Sequence, residues 1–160
     1  MKSILTIILF LFSINLYPQQ QALHITPAQI SEHIKSTKNK KTVLQFWNPN
    51  CKEVEDILKQ YKAAEAMHND TDFYFIAITS KDTLITNAIK DNNYPYKLYV
   101  ADAAVNPDLY ERMASFCKKM CALLNIKKSE FLTMYLDKND KVIYAGDAAY
   151  NEIEKIMNIK

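Results

Sequence analysis

The sequence predicts an α/β fold, with a central mixed β-sheet of four to five strands flanked by helices on both faces. Segments with strand and helix signals alternate along the chain. Residues 73–78 are six consecutive apolar residues, which is typical of a parallel strand covered on both sides. A polar turn at residues 137–141 separates two further apolar segments, 131–136 and 142–146, and indicates an antiparallel hairpin.

The first half of the chain supplies the first elements of this fold in order. Thr26 and Pro27 open a helix, because a threonine N-cap followed by proline is a helix-start signal. Residues 43–46 form the first central strand. A second helix is predicted from Cys51 to about His68, since apolar residues recur there at helical spacing and leave charged residues for solvent.

The second half continues the alternation. A short helix is expected at residues 81–90, and a strand at residues 94–100 after a proline turn. A long helix is expected at residues 107–124, with apolar residues over more than half of its circumference. The final helix is predicted at residues 150–159.

Cys51 follows the first central strand in the segment Val-Leu-Gln-Phe-Trp-Asn-Pro-Asn-Cys-Lys-Glu-Val, residues 43–54. A helix N-terminus carries partial positive charge and unpaired N–H groups, which stabilise a thiolate and lower the pKa of the thiol. Three acidic residues in the same turn oppose a further negative charge, while Lys52 partly offsets them. Cys51 is therefore a candidate catalytic residue, and the sign of its net pKa shift stays open.

This segment resembles the active-site region of the thioredoxin-like superfamily, especially its exported thiol-disulfide oxidoreductases, in which it reads Phe-Trp-Ala-x-Trp-Cys-x-x-Cys. Phe46, Trp47 and Cys51 match that pattern. Asn50 stands where the family has its second tryptophan, and Val54 stands where it has the resolving cysteine. The resemblance implies a thioredoxin-like fold with a degenerate active site, Cys-Lys-Glu-Val in place of Cys-x-x-Cys.

The resemblance also implies a second loss. The family places a cis-proline before the strand that corresponds to residues 131–136, facing the catalytic cysteine and binding substrate backbone. No proline follows Pro107 in this chain, and the slot falls on Phe131 or Leu132. A cis bond before another residue costs about 2.5 to 4 kcal/mol, so we expect a trans loop. The candidate residues for binding a partner or substrate are Trp47, Pro49, Asn50, Phe131 and Leu132.

Cys117 and Cys121 lie four residues apart in the long predicted helix. At that spacing Cβ atoms are about 5 to 6 Å apart, which exceeds the roughly 3.8 Å of a disulfide. Three alternatives stay open: both pack as apolar residues, they pair with each other, or one of them reaches Cys51 and acts as a low-ranked catalytic partner. The histidines show no ligand spacing with these cysteines, so we expect neither a metal nor a cofactor.

Residues 1–20 have the features of a signal peptide, with Lys2 followed by an apolar stretch at residues 4–14. The cleavage site is uncertain. We expect an exported protein, periplasmic or extracellular, with a single thioredoxin-like domain at residues 21–160. The alternative is a retained N-terminal anchor, and membrane association is expected through that segment alone.

The charge balance excludes nucleic acid as an implied partner, since 20 basic and 18 acidic side chains give a formal net charge of +2. The favoured hypothesis is a non-catalytic binding or structural module whose partner is another exported protein. The alternatives are a monothiol disulfide oxidoreductase that uses Cys51 and a redox switch between Cys51 and Cys117 or Cys121. The tyrosines at positions 94, 96 and 99 form a further docking patch or pack beneath neighbouring loops.

Overall fold

The computed structural model describes residues 22–159, and the structural statements below refer to these residues. The predicted signal peptide lies outside them. The strands are β1 (Leu23–Ile25), β2 (Lys41–Trp47), β3 (Thr71–Ala77), β4 (Tyr99–Ala101), β5 (Thr133–Leu136) and β6 (Val142–Gly146). The helices are α1 (Pro27–Ser36), α2 (Val54–Met67), α3 (Asp82–Asp91), α4 (Leu109–Leu123) and α5 (Ile153–Met157), with a 3-10 turn at Tyr150–Glu152 before α5.

The strands form one mixed sheet in the order β1-β4-β3-β2-β5-β6. The first four strands in this order run parallel, and β5 and β6 pair antiparallel to their neighbours. The predicted α/β class with a mixed sheet is confirmed, although the sheet has six strands rather than four to five. The strand that was not predicted is β1, because three residues are too few to show an alternating pattern.

Side chains alternate between the two faces of the sheet along β2 and β3. One face carries Val43, Trp47 and Phe75, which pack with α2, α3 and α5. The other face carries Leu44 and Ile76, which pack with α1 and α4. The sheet therefore separates two hydrophobic cores, as the prediction of helices on both faces requires.

The predicted starts of α2 and β4 are wrong, each for a local reason. Helix α2 begins at Val54 rather than at Cys51, because a turn after β2 occupies the intervening residues. Strand β4 begins at Tyr99 rather than at Tyr94. The backbone N–H of Tyr94 instead donates to the carbonyl of Ile89 at 2.9 Å, so this segment ends α3 rather than extending the sheet.

The predicted start of α1 is confirmed. The side chain of Thr26 accepts a hydrogen bond from the backbone N–H of Gln29, and the Gln29 side chain accepts one from the Thr26 N–H in return. Between residues 22 and 159, no helix combines the length and apolar character needed to cross a bilayer.

Candidate active site

A tight turn carries the chain from the end of β2 to Cys51. The side-chain Oδ1 of Asn48 accepts from the backbone N–H of Asn50 at 2.9 Å, and the Asn48 carbonyl accepts from the Cys51 N–H at 3.3 Å. The carbonyl of Trp47 accepts from the N–H of Ile78 at 3.4 Å, which holds the start of the turn against the chain after β3. Cys51 is consequently fixed three residues before α2, outside the first helical turn.

The Cys51 thiol is half-buried, and its pKa is raised above the ordinary value. Burial is the largest cause, because it disfavours the charged thiolate. The Glu53 backbone N–H acts in the opposite direction by hydrogen-bonding the sulfur, while the Glu53 carboxylate raises the pKa further. The pKa-lowering effect of the Glu53 N–H is thus outweighed at this thiol.

Val54 occupies the position of the resolving cysteine and is half-buried against the core that also contacts Cys51. Disulfide reduction requires a second thiolate to attack the mixed disulfide and release the substrate. A valine side chain has no group that performs this step. Cys51 therefore lacks a resolving partner on α2.

Cys117 and Cys121 lie on α4, in the core on the other face of the sheet from Cys51. All three cysteines are free thiols. The Cys117 thiol donates to the carbonyl of Phe131 at 3.4 Å, and burial raises the pKa of Cys117 to about 11. The structure brings neither of these cysteines to Cys51, because the sheet lies between them.

The loop before β5 is closed by backbone hydrogen bonds. The N–H of Leu132 donates to the carbonyl of Gly146 at 2.9 Å, and the carbonyl of Leu132 accepts from the N–H of Phe46 at 2.9 Å. The peptide bonds of the described residues are all trans, so the loop has the geometry expected without the family's cis-proline. Both backbone polar groups of Leu132 are already used within the sheet.

Three of the five residues predicted to bind a partner or substrate are buried in the structure. Trp47 is 6% exposed and belongs to the core on the Cys51 face, whereas Phe131 is 1% exposed and belongs to the opposite core. Pro49 is buried in the turn. Their apolar character serves packing, which leaves exposed Asn50 and half-buried Leu132 at the surface.

A buried polar cluster, which was not predicted, lies on the face of the sheet that carries Cys51. Gln45 on β2 pairs with Thr133 on β5, and both side chains donate to the carbonyl of Ala148, at 3.2 Å and 2.6 Å. These bonds fix the segment after β6 over the sheet. A glutamine in the middle of the apolar strand β2 is the signal that could have revealed this cluster.

Three buried polar atoms of this face have no hydrogen-bond partner within residues 22–159: Gln45 Oε1, Trp47 Nε1 and the Tyr61 hydroxyl. The Tyr61 ring stacks on Phe75 with centroids 3.5 Å apart and meets Trp47 edge-on at 6.3 Å. Burial and the nearby Cys51 raise the pKa of Tyr61 well above its ordinary value, so this hydroxyl stays protonated at neutral pH. Tyr61 therefore does not act as a base that takes the proton of the Cys51 thiol.

Within the part of the chain that the structure describes, no three His, Cys, Asp or Glu side chains are grouped so as to hold a metal ion.

No protein-family model matches the chain, and no curated protein matches it.

Solved bacterial structures do resemble the chain, at low sequence identity. MTB dsbF, in its mixed oxidized and reduced forms, is 17% identical with a TM-score of 0.49, over 79% of this chain and 85% of that chain. A secreted Mycobacterium tuberculosis disulfide oxidoreductase homologous to E. coli DsbE is 14% identical with a TM-score of 0.48, over 76% and 83%. StoA from Bacillus subtilis is 12% identical with a TM-score of 0.48, over 76% and 85%.

The strand order and the placement of the helices are those of a thioredoxin-like fold. This agrees with the fold that the resemblance at Phe46, Trp47 and Cys51 implied.

Proposed function

We propose that this protein is a non-catalytic thioredoxin-like domain that acts outside the cytoplasm as a binding or structural module. The observation that carries the proposal is the isolation of Cys51. One helical turn on, the position of a resolving thiol is held by Val54, and the two other cysteines of the chain lie across the sheet. A thiol-disulfide cycle through two cysteines of this chain has no second member within reach.

Two further observations support the proposal. The pKa of Cys51 is raised by burial, so the thiolate fraction at neutral pH is lower than that of a free cysteine. The backbone groups of Leu132, one of the two positions to which the resemblance assigns the substrate-binding slot, are hydrogen-bonded to Gly146 and Phe46. The nucleophilicity of Cys51 and the capacity of this loop to bind a substrate backbone are therefore both reduced.

An insulin-reduction assay with dithiothreitol tests the absence of turnover. We expect the wild-type protein to leave the uncatalysed rate unchanged, and Cys51→Ser to behave in the same way. Val54→Cys is the matched positive control, because it restores the second thiol of a Cys-x-x-Cys pair. Turnover by the wild-type protein that is lost in Cys51→Ser would overturn the proposal.

The second candidate function is a monothiol oxidoreductase. It is favoured by the partial exposure of the Cys51 thiol and by the hydrogen bond that this thiol receives from the Glu53 N–H. The pH dependence of iodoacetamide alkylation separates the candidates, with Cys117→Ala/Cys121→Ala as the background that reports on Cys51 alone. We expect a midpoint above about 8.5, the value of a free thiol, whereas a midpoint below it favours the monothiol.

The redox-switch version of this alternative requires a bond from Cys51 to Cys117 or Cys121. Such a bond would have to pass the sheet that separates the two cores, so we expect none. Mass spectrometry of the oxidised, non-reduced protein checks this, and a peptide cross-linked from Cys51 to either cysteine would restore the switch.

The extracytoplasmic location and an exported protein as partner rest on the signal-peptide pattern of residues 1–20. N-terminal sequencing of the protein recovered from the periplasm or medium tests the location. A mature N-terminus beyond the apolar stretch supports export, and an intact Met1 on protein confined to the cytosol contradicts it.

A further inference from the structure

A second concave site lies at the end of the sheet away from Cys51. The cavity has a volume of about 590 Å³ and is lined by residues of α1, the end of α2, the start of β3 and residues 95–99. Thr71 and Asp72 of the cavity wall pair with the start of β2, whereas Cys51 follows its other end, so this part of the cavity and Cys51 are separated by roughly the 20 Å length of a seven-residue strand. Cys51 is not among the residues that line this cavity.

The cavity opens beside the first residues of β3, which β4 does not reach. Strand β4 pairs with β3 only at Ile76 and Ala77. Beside the earlier residues of β3, Thr71–Tyr74, the wall is formed by residues 95–99 together with Ile25, Gln29 and His33. The concave shape therefore follows from the topology of the sheet.

Two carboxylates line this cavity, and their charges are compensated differently. Asp72 is bonded by Lys40 at 2.8 Å and by His33 at 3.0 Å. Glu65 accepts a hydrogen bond from the Tyr94 hydroxyl at 2.8 Å and forms no ion pair with a described residue. Lys97, which also lines the cavity, is exposed and has no charge contact with Glu65.

The electrostatics of the cavity are unfavourable to an ionised Glu65 without a cation. Burial raises the pKa of Glu65 to about 7, although the hydrogen bond from Tyr94 acts in the opposite direction. Burial and the negative charges of Glu65 and Asp72 also raise the pKa of Tyr99 to about 12. The negative charges of both carboxylates therefore act on the Tyr99 hydroxyl. A cation bound near this hydroxyl would favour the ionised form of Glu65.

Three tyrosines also line the cavity. Tyr74 and Tyr99 lie with ring centroids 5.3 Å apart, and Tyr96, which is half-buried, lines the same cavity. The faces of aromatic rings carry negative charge density and attract ammonium and guanidinium groups. An uncompensated carboxylate among tyrosine rings is the combination that recognises an organic cation.

We propose that this cavity binds an organic ammonium group, with Glu65 as its counter-ion and the tyrosine rings around its apolar body. The same chemistry is offered by a free small amine and by the lysine side chain of a peptide. The site would make the tyrosines at positions 96 and 99 part of a binding surface, while Tyr94, which is 2% exposed, orients Glu65 through its hydroxyl.

Calorimetric titration of the purified protein tests the proposal with three probes: benzylamine, its neutral analogue benzyl alcohol, and the capped tripeptide acetyl-Ala-Lys-Ala-amide. We expect at least one of the two cationic probes to bind at least tenfold more tightly than the alcohol. Tighter binding of benzylamine assigns the site to free amines, and tighter binding of the tripeptide assigns it to lysine side chains.

Glu65→Gln should reduce the binding of the cationic probe at least tenfold, because it removes the charge and keeps an acceptor for Tyr94. Glu32→Gln, at an exposed carboxylate of α1 outside the cavity, is the matched control and should leave binding unchanged. Amide NMR shifts of the unmodified protein provide a readout that needs no variant, and we expect them at residues 65 and 71–74. Equal binding of the alcohol, or shifts confined to other residues, would overturn the proposal.

Discussion

The Tyr61 side chain is fully buried on the Cys51 face, where its ring and its hydroxyl have opposite energetic consequences. The ring stacks on Phe75 at a centroid distance of 3.5 Å and contributes apolar area to the core. The hydroxyl has no hydrogen-bond partner among the described residues. A buried hydroxyl that has lost its water without a replacement is destabilising.

We therefore predict that Tyr61→Phe raises the free energy of unfolding by up to about 1 kcal/mol, since it removes the unpaired hydroxyl and keeps the stacked ring. Urea denaturation measures the change. Tyr110→Phe is the control, because Tyr110 is 94% exposed and its substitution should have almost no effect. A loss of stability in Tyr61→Phe would mean that the hydroxyl is bonded in solution.

At the level of the elements, Arg112 ties helix α4 to two loops at the end of the sheet. Its side chain is 5% exposed and donates to the carbonyls of Asn106 at 2.8 Å, Pro107 at 3.2 Å and Thr79 at 3.4 Å. No carboxylate pairs with it among the described residues, so the carbonyl oxygens compensate its charge. The planar guanidinium reaches several carbonyls at once, which a lysine ammonium cannot do.

Arg112→Lys should consequently lower the free energy of unfolding by about 3 kcal/mol, because it leaves buried carbonyls and a buried ammonium poorly paired. Thermal or urea unfolding checks this value. Lys118→Arg, on the exposed side of the same helix, is the control, and we expect a change within about 0.5 kcal/mol. Equal stability of the two variants would contradict the role given to Arg112.

The limits of each helix show how far local sequence signals determine an element. Thr26 and Pro27 predicted the start of α1 correctly, because the signal acts through hydrogen bonds within four residues. The start of α2 was placed three residues too early, at Cys51. The Asn48 side chain stabilises a turn that competes with the helix, and hydrophobic spacing does not reveal such a turn.

For the whole molecule, the alternation of strands and helices predicted the fold class, but it could not show which core each helix joins. Cys51 follows an apolar strand, and Cys117 lies among the apolar residues of a helix. The order of such residues along the chain does not reveal that the sheet lies between the two cysteines. The burial of Trp47 and Phe131 likewise depends on tertiary packing. The cavity at Glu65 lies beside the residues of β3 that β4 leaves unpaired, and no local sequence signal reveals this.

Glu65 also makes the stability of the whole protein depend on pH. Its pKa is raised from 4.5 to about 7 in the folded state, so the folded protein holds a proton that the unfolded chain has released between these values. The free energy of unfolding therefore falls as pH rises from about 4.5 to about 7, and the loss is complete above that range. One pKa unit corresponds to about 1.36 kcal/mol, and solvent screening of this half-buried group reduces the total to about 1 to 2 kcal/mol.

Glu65→Gln isolates this contribution, because it removes the titration and retains an acceptor for the Tyr94 hydroxyl. We expect the variant to match the wild-type protein near pH 4.5 and to exceed its free energy of unfolding by about 1 to 2 kcal/mol at pH 8. Urea denaturation at a series of pH values measures the difference, and Glu32→Gln should follow the wild-type curve. A constant difference between the two proteins across the series would show that Glu65 has the same pKa in the folded and unfolded states. If a saturating amine restores the stability of the wild-type protein at pH 8 but does not stabilise Glu65→Gln, the ionisation of Glu65 is linked to cation binding.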